Sequence, residues 1–490
     1  MFRTLSKLVP EDKDLPPRAH RLGVLNRFLD DSIYDVLDHE FHEEYNGAGE
    51  YIPIAQRAPS VRYGLLQTVV NDSVSFLFAE GRFPSVDAGE EESEDFFKKV
   101  IKDTALNDVL IDAAQRGSVG SVAIWMRVLA NRVFFKALET TFLTPSFKAN
   151  APDVLEKVVE RYKVKGRALR EGGYTIADDD LETVFWFQRE WNETHEFWFK
   201  PTKVSDQKFP KAVDNTAGRT TKHGLGFVPL VWIKNLPGGD DLDGACTFKI
   251  AIPNSIEINY QLSQAGRGLK YSSSPTLVIK DAASLTPKNK MIAGDALVVP
   301  PEGDAKLLEI SGGAAQAVLE YVEGLRKMAL EGVGGSRADS DKLSAATSGR
   351  AMEMMNQALI NLSDKLRSSY GENGLLRLIK MVAAVSCSVN LVDRDGNDLG
   401  KAKENLQIAL VWPRWFAPTA DDRQADANAL GVLKGSSLIS TETAVRSIAS
   451  DYDVEDVEAE IKAIADEVSQ AQANQVELKA AQPKISPPER

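Results

Sequence analysis

The sequence predicts a mixed α+β protein, mainly helical, on three observations. Apolar residues recur every three or four positions over 21–45, 62–80, 96–116, 253–270, 313–331 and from 348 onward, which is the helical period. The period drops to two, with β-branched and aromatic residues, at 119–138 and 183–199. Two helix-patterned segments also bracket a cluster of short strand-like runs at 272–312, a layout that suits a helix hairpin projecting from a body.

A chain of 490 residues can bury a large core and is long enough for two to four domains. Its 43% hydrophobic and 26% charged content is that of an ordinary globular protein, and no run approaches the roughly 18 apolar residues of a membrane span. Met1–His20 mixes Arg3, Lys7, Glu11 and Asp12 with prolines and lacks a secretory apolar segment, so synthesis in the cytoplasm and a flexible arm over 1–20 are expected. Cys246 and Cys387 form neither a C-x-x-C pair nor a disulfide framework. The net charge of −13 argues against a protein that grips duplex DNA through its phosphates, which calls for a basic stripe.

The helical stripe of 21–45 runs through Leu22, Val24, Leu25, Phe28, Leu29, Ile33, Val36 and Leu37, and that of 62–80 through Leu65, Leu66, Val69, Val70, Val74, Phe76 and Leu77. Asp87–Asp95 is acidic and reads as a solvated loop or helix start. The helix at 96–116 ends at Arg116-Gly117. Strands follow at Val119–Val128, Arg132–Leu138, Thr183–Trp191 and His195–Phe199, and the aromatics Phe185, Trp186, Phe187, Trp191, Phe197, Trp198 and Phe199 read as sheet packing, not as a base-stacking platform. Phe227–Asn235 is a strand with Pro229 near its start, and Leu236–Asp241 is a turn cluster.

Beyond Pro253 a weakly apolar helix runs to about Lys270, with Ser255, Asn259, Ser263, Ala265 and Gly266 read as a small-residue surface that needs neighbours. Three short strands are expected at 276–279, 296–299 and 307–310. The return helix 313–331 carries Ala314, Val318, Tyr321, Val322, Leu325, Met328 and Ala329, and Gly332, Gly334 and Gly335 mark its end. A polar loop at 336–346 leads into a helix of about 40 residues, roughly 60 Å if unbroken. Gly371 and Gly374 predict a kink or division inside it. A strand pair is expected at 393–400 and 406–412, then helices at 420–433, 441–450 with Thr441 as cap, and 454–475, before a disordered tail.

Catalytic signatures are sparse. No stretch supplies G-x-x-x-x-G-K-[ST], G-x-S-x-G or H-E-x-x-H, so the chain carries no visible engine for ATP. His39 and His42 in H-E-F-H-E-E could stand one helical turn apart, yet no third ligand pair is apparent elsewhere and a solvated helix face is the preferred reading. Asp393, Asp395, Asn397 and Glu404 fall at calcium-loop positions, but the sixth position is Asp398 where glycine is needed, and a hairpin turn on Asp395-Gly396 accounts for them. No catalytic residue, cofactor or metal is assigned.

Four pieces in fixed order are similar to phage portal proteins, particularly those of long-tailed siphophages of Gram-positive hosts. They are Val228-Pro229-Leu230-Val231 ending in Asn235, the 259–270 helix running into Pro275-Thr276-Leu277-Val278-Ile279, Ser348-Gly349-Arg350-Ala351, and Leu438-Ile439-Ser440-Thr441-Glu442-Thr443 followed by 453–460. The resemblance implies a homo-oligomeric ring, usually of about twelve copies, at one capsid vertex of the virion, with no enzymatic activity of its own. It implies a wing (21–252), stem helices (253–271 and 313–331), a clip (272–312), a tunnel loop (332–346), a long wing helix with strands (347–419) and a crown (420–476), followed by a disordered tail (477–490). Double-stranded DNA would pass through the channel. The terminase large subunit and then a head-completion adaptor would dock on the clip, and the major capsid and scaffolding proteins would surround the ring, with no membrane involved. The basic groups nearest the channel are Arg267 and Lys270 on one stem helix and Arg326 and Lys327 on the other, with Arg337, Asp339, Asp341 and Lys342 in the loop. Lys280, Lys288 and Lys290 are the docking candidates of the clip. The basic stem groups could equally pair with Glu320, Glu323 or Glu331. Another virion structural protein, or a metal-dependent hydrolase built on the His39 or Asp393 cluster, are the alternative readings.

Overall fold

The computed structural model describes residues 1–79, 81–272, 276–279, 305–308, 313–334, 349–403, 406–416, 419–449, 454 and 457–480. They sort into two compact units, one within Met1–Arg337 and Ala358–Pro413, the other within Ala338–Gln357 and Arg414–Arg490.

The first unit opens with α1 (Phe2–Leu8) and α2 (Pro17–Leu29), so residues expected as a flexible arm are instead built into the body. Phe2, Leu5 and Val9 sit at helical spacing and Leu5 is 1% exposed. The charges that suggested solvent have partners: Lys163 Nζ lies 2.8 Å from Asp12 and 2.7 Å from Asp14, and Arg18 donates to both carboxylate oxygens of Asp243 at 2.8 and 2.7 Å.

The helix expected over 21–45 stops at Leu29. Asp30 accepts the Ser32 N–H and Asp31 adopts a left-handed φ of 56°, which turns the chain into a 3-10 segment, Ser32–Val36. A two-strand parallel pair follows, β1 (His39–Glu40) with β2 (Arg57–Ala58). After α3 (Leu65–Phe78) and β3 (Ser85–Asp87), the segment expected as one helix at 96–116 is two, α4 (Glu91–Asp103) and α5 (Leu106–Gly117). The Thr104 hydroxyl bonds back to the Val100 carbonyl and Ala105 takes φ 48°, which breaks the rod.

The strands β4 (Ser121–Leu129) and β5 (Arg132–Glu139) lie where the sequence puts them. Not anticipated were β6 (Leu143–Lys148) and the 15-residue β7 (Ala151–Lys165), because charges on β7 mask its alternation. Those charges are paired: Glu160 with Arg189 at 2.8 Å, Lys165 with Glu182 at 2.8 Å, and Lys163 as above. A short helix α6 (Gly166–Glu171) leads to β8 (Val184–Asn192), β9 (His195–Trp198), β10 (Thr202–Lys203) and β11 (Thr221–Lys222), giving a sheet ordered β11-β9-β8-β7-β6 with β10 also on β8.

The strand β12 (Leu230–Lys234) joins β4 and β5 in the order β12-β4-β5. This small sheet is covered on both faces. Val122, Ile124 and Met126 of β4 and Val231 and Ile233 of β12 enter the main core, while Ala123, Trp125, Leu230 and Trp232 enter a second core with Trp191, Val158 and Leu143. Burial on both sides is why β4 reads as a continuous apolar run. The aromatics do serve sheet packing, and Arg189 lies among them, its guanidinium 4.9, 4.2 and 4.8 Å from the rings of Trp125, Trp191 and Trp198.

The hairpin β13 (Leu236–Gly239) and β14 (Gly244–Ala245) leads to α7 (Ile252–Ser272), the strands β15 (Thr276–Ile279) and β16 (Ala305–Leu308), and α8 (Gly313–Gly332). The expected long helix is divided: α9 (Gly349–Met355) belongs to the second unit, and α10 (Gln357–Leu366), a π-helical stretch Arg367–Leu375 and α11 (Leu376–Ser388) follow, in the first unit from residue 358 on. The Leu376 N–H reaches the Gly371 carbonyl, an i to i−5 bond, at the place where the two glycines predicted a division. A Cβ at Gly371 would lie 2.5 Å from Trp412 Cζ2 and one at Gly374 2.9 Å from Ile233 Cδ1, so both glycines admit close neighbours. From this stretch Tyr370 donates to Asn235 Oδ1 at 3.0 Å. Asn235, at the end of β12, in turn donates to the Ala245 carbonyl and to Thr247 Oγ1, each at 2.8 Å.

The segment after α11 forms a tight hairpin, β17 (Leu391–Val392) with β18 (Asp398–Gly400). Its expected partner at 406–412 goes elsewhere: β19 (Ala409–Val411) pairs with β3.

In the second unit, α12 (Ala420–Gly435) begins with a capping box. Thr419 Oγ1 accepts the Asp422 N–H at 3.3 Å and the Asp422 carboxylate accepts the Thr419 N–H at 3.0 Å. The cap of α13 (Thr441–Ile448) is Ser440, not Thr441, because its hydroxyl accepts the Thr443 N–H at 3.1 Å. The last helix, α14 (Val457–Ala480), extends past the expected end at 475 and so takes in the first residues of the expected tail.

Candidate functional site

The helices α7 and α8 form an antiparallel pair: Asn254 near the start of α7 donates to the Leu325 carbonyl at 3.5 Å, and Ile250 just before it lies against Gly332 at the end of α8. β15 and β16 continue the two helices as an antiparallel ladder, Thr276 opposite Leu308 through Ile279 opposite Ala305. The third expected strand, 296–299, and the clip candidates Lys280, Lys288 and Lys290 lie outside the described residues. So do Arg337, Asp339, Asp341 and Lys342.

The first half of α7 is fixed by its own chain. Ile252, Ile256 and Tyr260 recur every four residues and are buried, as the helical period requires. Ser255, Asn259 and Ser263, read from the sequence as a surface awaiting neighbours, are also buried, at 2%, 0% and 1% exposure. The polar groups of Asn259 and Ser263 secure the segment before α3. Ser263 Oγ accepts the Val61 N–H at 3.0 Å, Asn259 Oδ1 accepts the Tyr63 N–H at 2.9 Å, and Asn259 Nδ2 donates to the Tyr34 hydroxyl at 2.9 Å. The Tyr260 hydroxyl donates to the Arg57 carbonyl at 2.7 Å, and burial pushes its pKa up to about 12. Burial raises the Asp31 carboxyl as well, outweighing the attraction of Arg62.

The second half of α7 and the facing part of α8 are open. A Cβ at Gly266, Gly268 or Gly324 would meet nothing within 4 Å. Leu269, Leu319, Tyr321 and Met328 are each about half exposed (51%, 51%, 50% and 53%), beside a buried α8 stripe of Val322, Leu325, Ala329 and Leu330.

Among the predicted basic groups, Arg267 pairs with Glu44, whose carboxylate also lies 3.7 Å from Arg57. Lys270 is exposed on the last turn of α7. Arg326 is half-buried and Lys327 exposed on α8, and among the described residues neither is paired with Glu320, Glu323 or Glu331. No pattern in the sequence pointed to Glu44 as a stem partner, since it lies 223 positions from Arg267.

The other chemical candidates resolve into local structure. His39 lies in a two-residue strand, not on a helix with His42, and its Nδ1 is 3.6 Å from Glu43. The Asp393 carboxylate accepts from Asn397 Nδ2 and from the backbone N–H groups of Asn397 and Asp395, which hold its pKa below the usual range. Gly396 takes φ 84°, the geometry of the turn expected there. Among the described residues no group of three His, Cys, Asp or Glu side chains could hold a metal, and no helix is long and apolar enough to cross a membrane.

The fold and this pair together define a mixed α+β protein from which a β-tipped helix hairpin arises. The family model "Phage portal protein, SPP1 Gp6-like" matches residues 60–474, most of the chain, and the chain belongs to that family. No curated protein matches it. It is thus a phage portal protein by family, and the resemblance read from its ordered motifs holds across the same span.

Proposed function

We propose that this chain is the subunit of a ring, of about twelve copies, that forms the DNA channel at one vertex of a phage capsid. In this reading the α7–α8 pair is the stem (253–271 and 313–331), 272–312 the clip, 332–346 the tunnel loop, 21–252 with 347–419 the wing, and 420–476 the crown. DNA passes along the stem and loop during packaging and ejection. The terminase large subunit docks on the clip and supplies the motion, and a head-completion adaptor takes its place afterwards. The major capsid and scaffolding proteins contact the ring from outside.

One observation carries the reading: the outer half of the hairpin is unfinished in a single chain. Glycines facing open space and half-exposed Leu269, Leu319, Tyr321 and Met328 are what a helix pair presents when neighbouring copies complete its burial. Closed rotational symmetry satisfies every such face with the same contact. Electrostatics favours passage over capture. Twelve copies at −13 each carry about −156, a field that repels phosphates, while Lys327 and Arg326, without an ion-pair partner among the described residues, offer sparse positive points.

Packaging assays in a reconstituted system test this. Removing residues 336–344 leaves ring assembly intact and sharply lowers packaged DNA; normal packaging by that deletion variant would overturn the channel assignment. Lys327→Glu lowers packaging with ring mass unchanged, whereas the double substitution of His39 and His42 by alanine leaves it as it is.

A further inference from the structure

We propose that residues 1–59, which precede the family match, form a brace that fixes the direction of α7 relative to the strand body. The inference does not depend on ring formation. It rests on two sets of contacts made by the same short segment.

The first set grips the body. Asp12 and Asp14 hold Lys163 of β7. Arg18 donates to Asp243 with two parallel bonds, to the Thr140 and Leu143 carbonyls at 2.7 and 2.9 Å, and to Ser121 Oγ at 3.1 Å. Arg21 adds bonds to Asp240 and Asp243 at 2.6 and 2.7 Å. Those two aspartates stand in the turn between β13 and β14, just ahead of α7. A bidentate guanidinium–carboxylate pair is directional as well as strong, so it sets where α7 starts.

The second set grips α7 itself. Tyr34 accepts from Asn259 and meets the Tyr260 ring edge-on, with centroids 6.1 Å apart. Tyr260 is also bonded to the Arg57 backbone, and Glu44 joins Arg57 to Arg267. From Asn259 to Arg267 the helix rises about 12 Å. A rod held only where it enters, at Ile252, can swing; one held again at Asn259 and, about 12 Å beyond that, at Arg267 cannot. Leu5, Leu22, Phe28, Ile33, Tyr34 and Phe41 belong to the same core as Ile252 and Ile256, so the brace is anchored by burial along its length.

Hydrogen exchange on the full-length protein tests this. Asn259→Ala and Glu44→Gln are compared with wild type and with Arg167→Ala, which removes an exposed ion pair to Glu182 elsewhere. The brace predicts that amides of Ile252–Ser272 exchange about tenfold faster in both α7-directed variants, while those of Ser121–Leu129 keep their wild-type rates. Unchanged α7 exchange in both variants would overturn it. So would equal acceleration of α7 and β4, which would mean a contribution to global stability without control of direction. If Asn259→Ala fails to fold, Glu44→Gln decides alone, because the Glu44 side chain is 30% exposed and leaves no core cavity.

Discussion

Asn235 is 1% exposed, and its side chain ties three separate stretches of chain to the end of β12: its amide donates to the Ser118 and Ala245 carbonyls and to Thr247 Oγ1, and its Oδ1 accepts from Tyr370 of the π-helical stretch. The fit leaves no room for a methyl group at Gly117, whose Cβ would lie 2.2 Å from Tyr370 Oη. Gly117→Ala therefore costs more than about 2 kcal/mol in urea unfolding. In a Tyr370→Phe background the added cost is smaller, because the nearest atom is gone; equal costs in the two backgrounds would show that the contact is not the cause. Asp240 gives a pH signature. Burial alone would raise its pKa, but the Asp243 backbone N–H, the Arg21 guanidinium and the Leu242 N–H outweigh it and hold it at about 2. The unfolded value is about 3.9. A pKa lowered by folding stabilises above the unfolded value, so the contribution is complete above about pH 4 and fades as pH falls toward about 2. Urea midpoints of Asp240→Asn should show a shallower acid loss than wild type. The sequence displayed Asn235 as the end of a strand motif, but not what it binds, since its partners come from positions as far apart as 118 and 370.

At the scale of elements, the π-helical stretch reverses an ordinary rule. Glycine to alanine inside a helix usually gains about 1 kcal/mol. Here Gly371→Ala should lose about 1–3 kcal/mol, because its Cβ falls 2.5 Å from the Trp412 ring, and chemical denaturation followed by tryptophan fluorescence reads both the loss and the displaced ring. A stabilised Gly371→Ala variant would contradict this packing. The stretch was legible in advance as a division because two glycines interrupt a long apolar stripe. The helices α3, α7 and α8 and the strand β5 were legible because one buried face sets the period, β4 because burial on both faces makes a continuous apolar run, and β8 and β9 by their β-branched and aromatic residues. Helix ends were less so. Leu29 and Thr104 end helices through a left-handed Asp31 and a threonine bonding backward, choices that periodicity does not encode. β7 escaped notice because its charges are paired, Glu160 with Arg189 across the sheet and Lys163 with Asp12 and Asp14 of the N-terminal segment, which makes a structured strand look solvated. The small polar face of α7 was misread in direction: Asn259 and Ser263 serve the chain's own segment ahead of α3.

At the scale of the whole molecule, family membership over residues 60–474 agrees with a chain whose hairpin is half finished. The ordered motifs made the family visible in the sequence, while the basic candidates could only be named. Arg267 turns out to be engaged by Glu44, which moves attention to Lys327 and Arg326 on the other helix. The brace built by residues 1–59 would let each subunit present that hairpin at one angle, as a closed ring demands. The decisive measurement is the mass of the purified protein by mass photometry, with negative-stain class averages of the same sample. The account predicts closed rings of roughly 600 kDa, about twelve times 53.7 kDa, each with a central hole. A species that stays at 53.7 kDa at high concentration and shows no hole would contradict it.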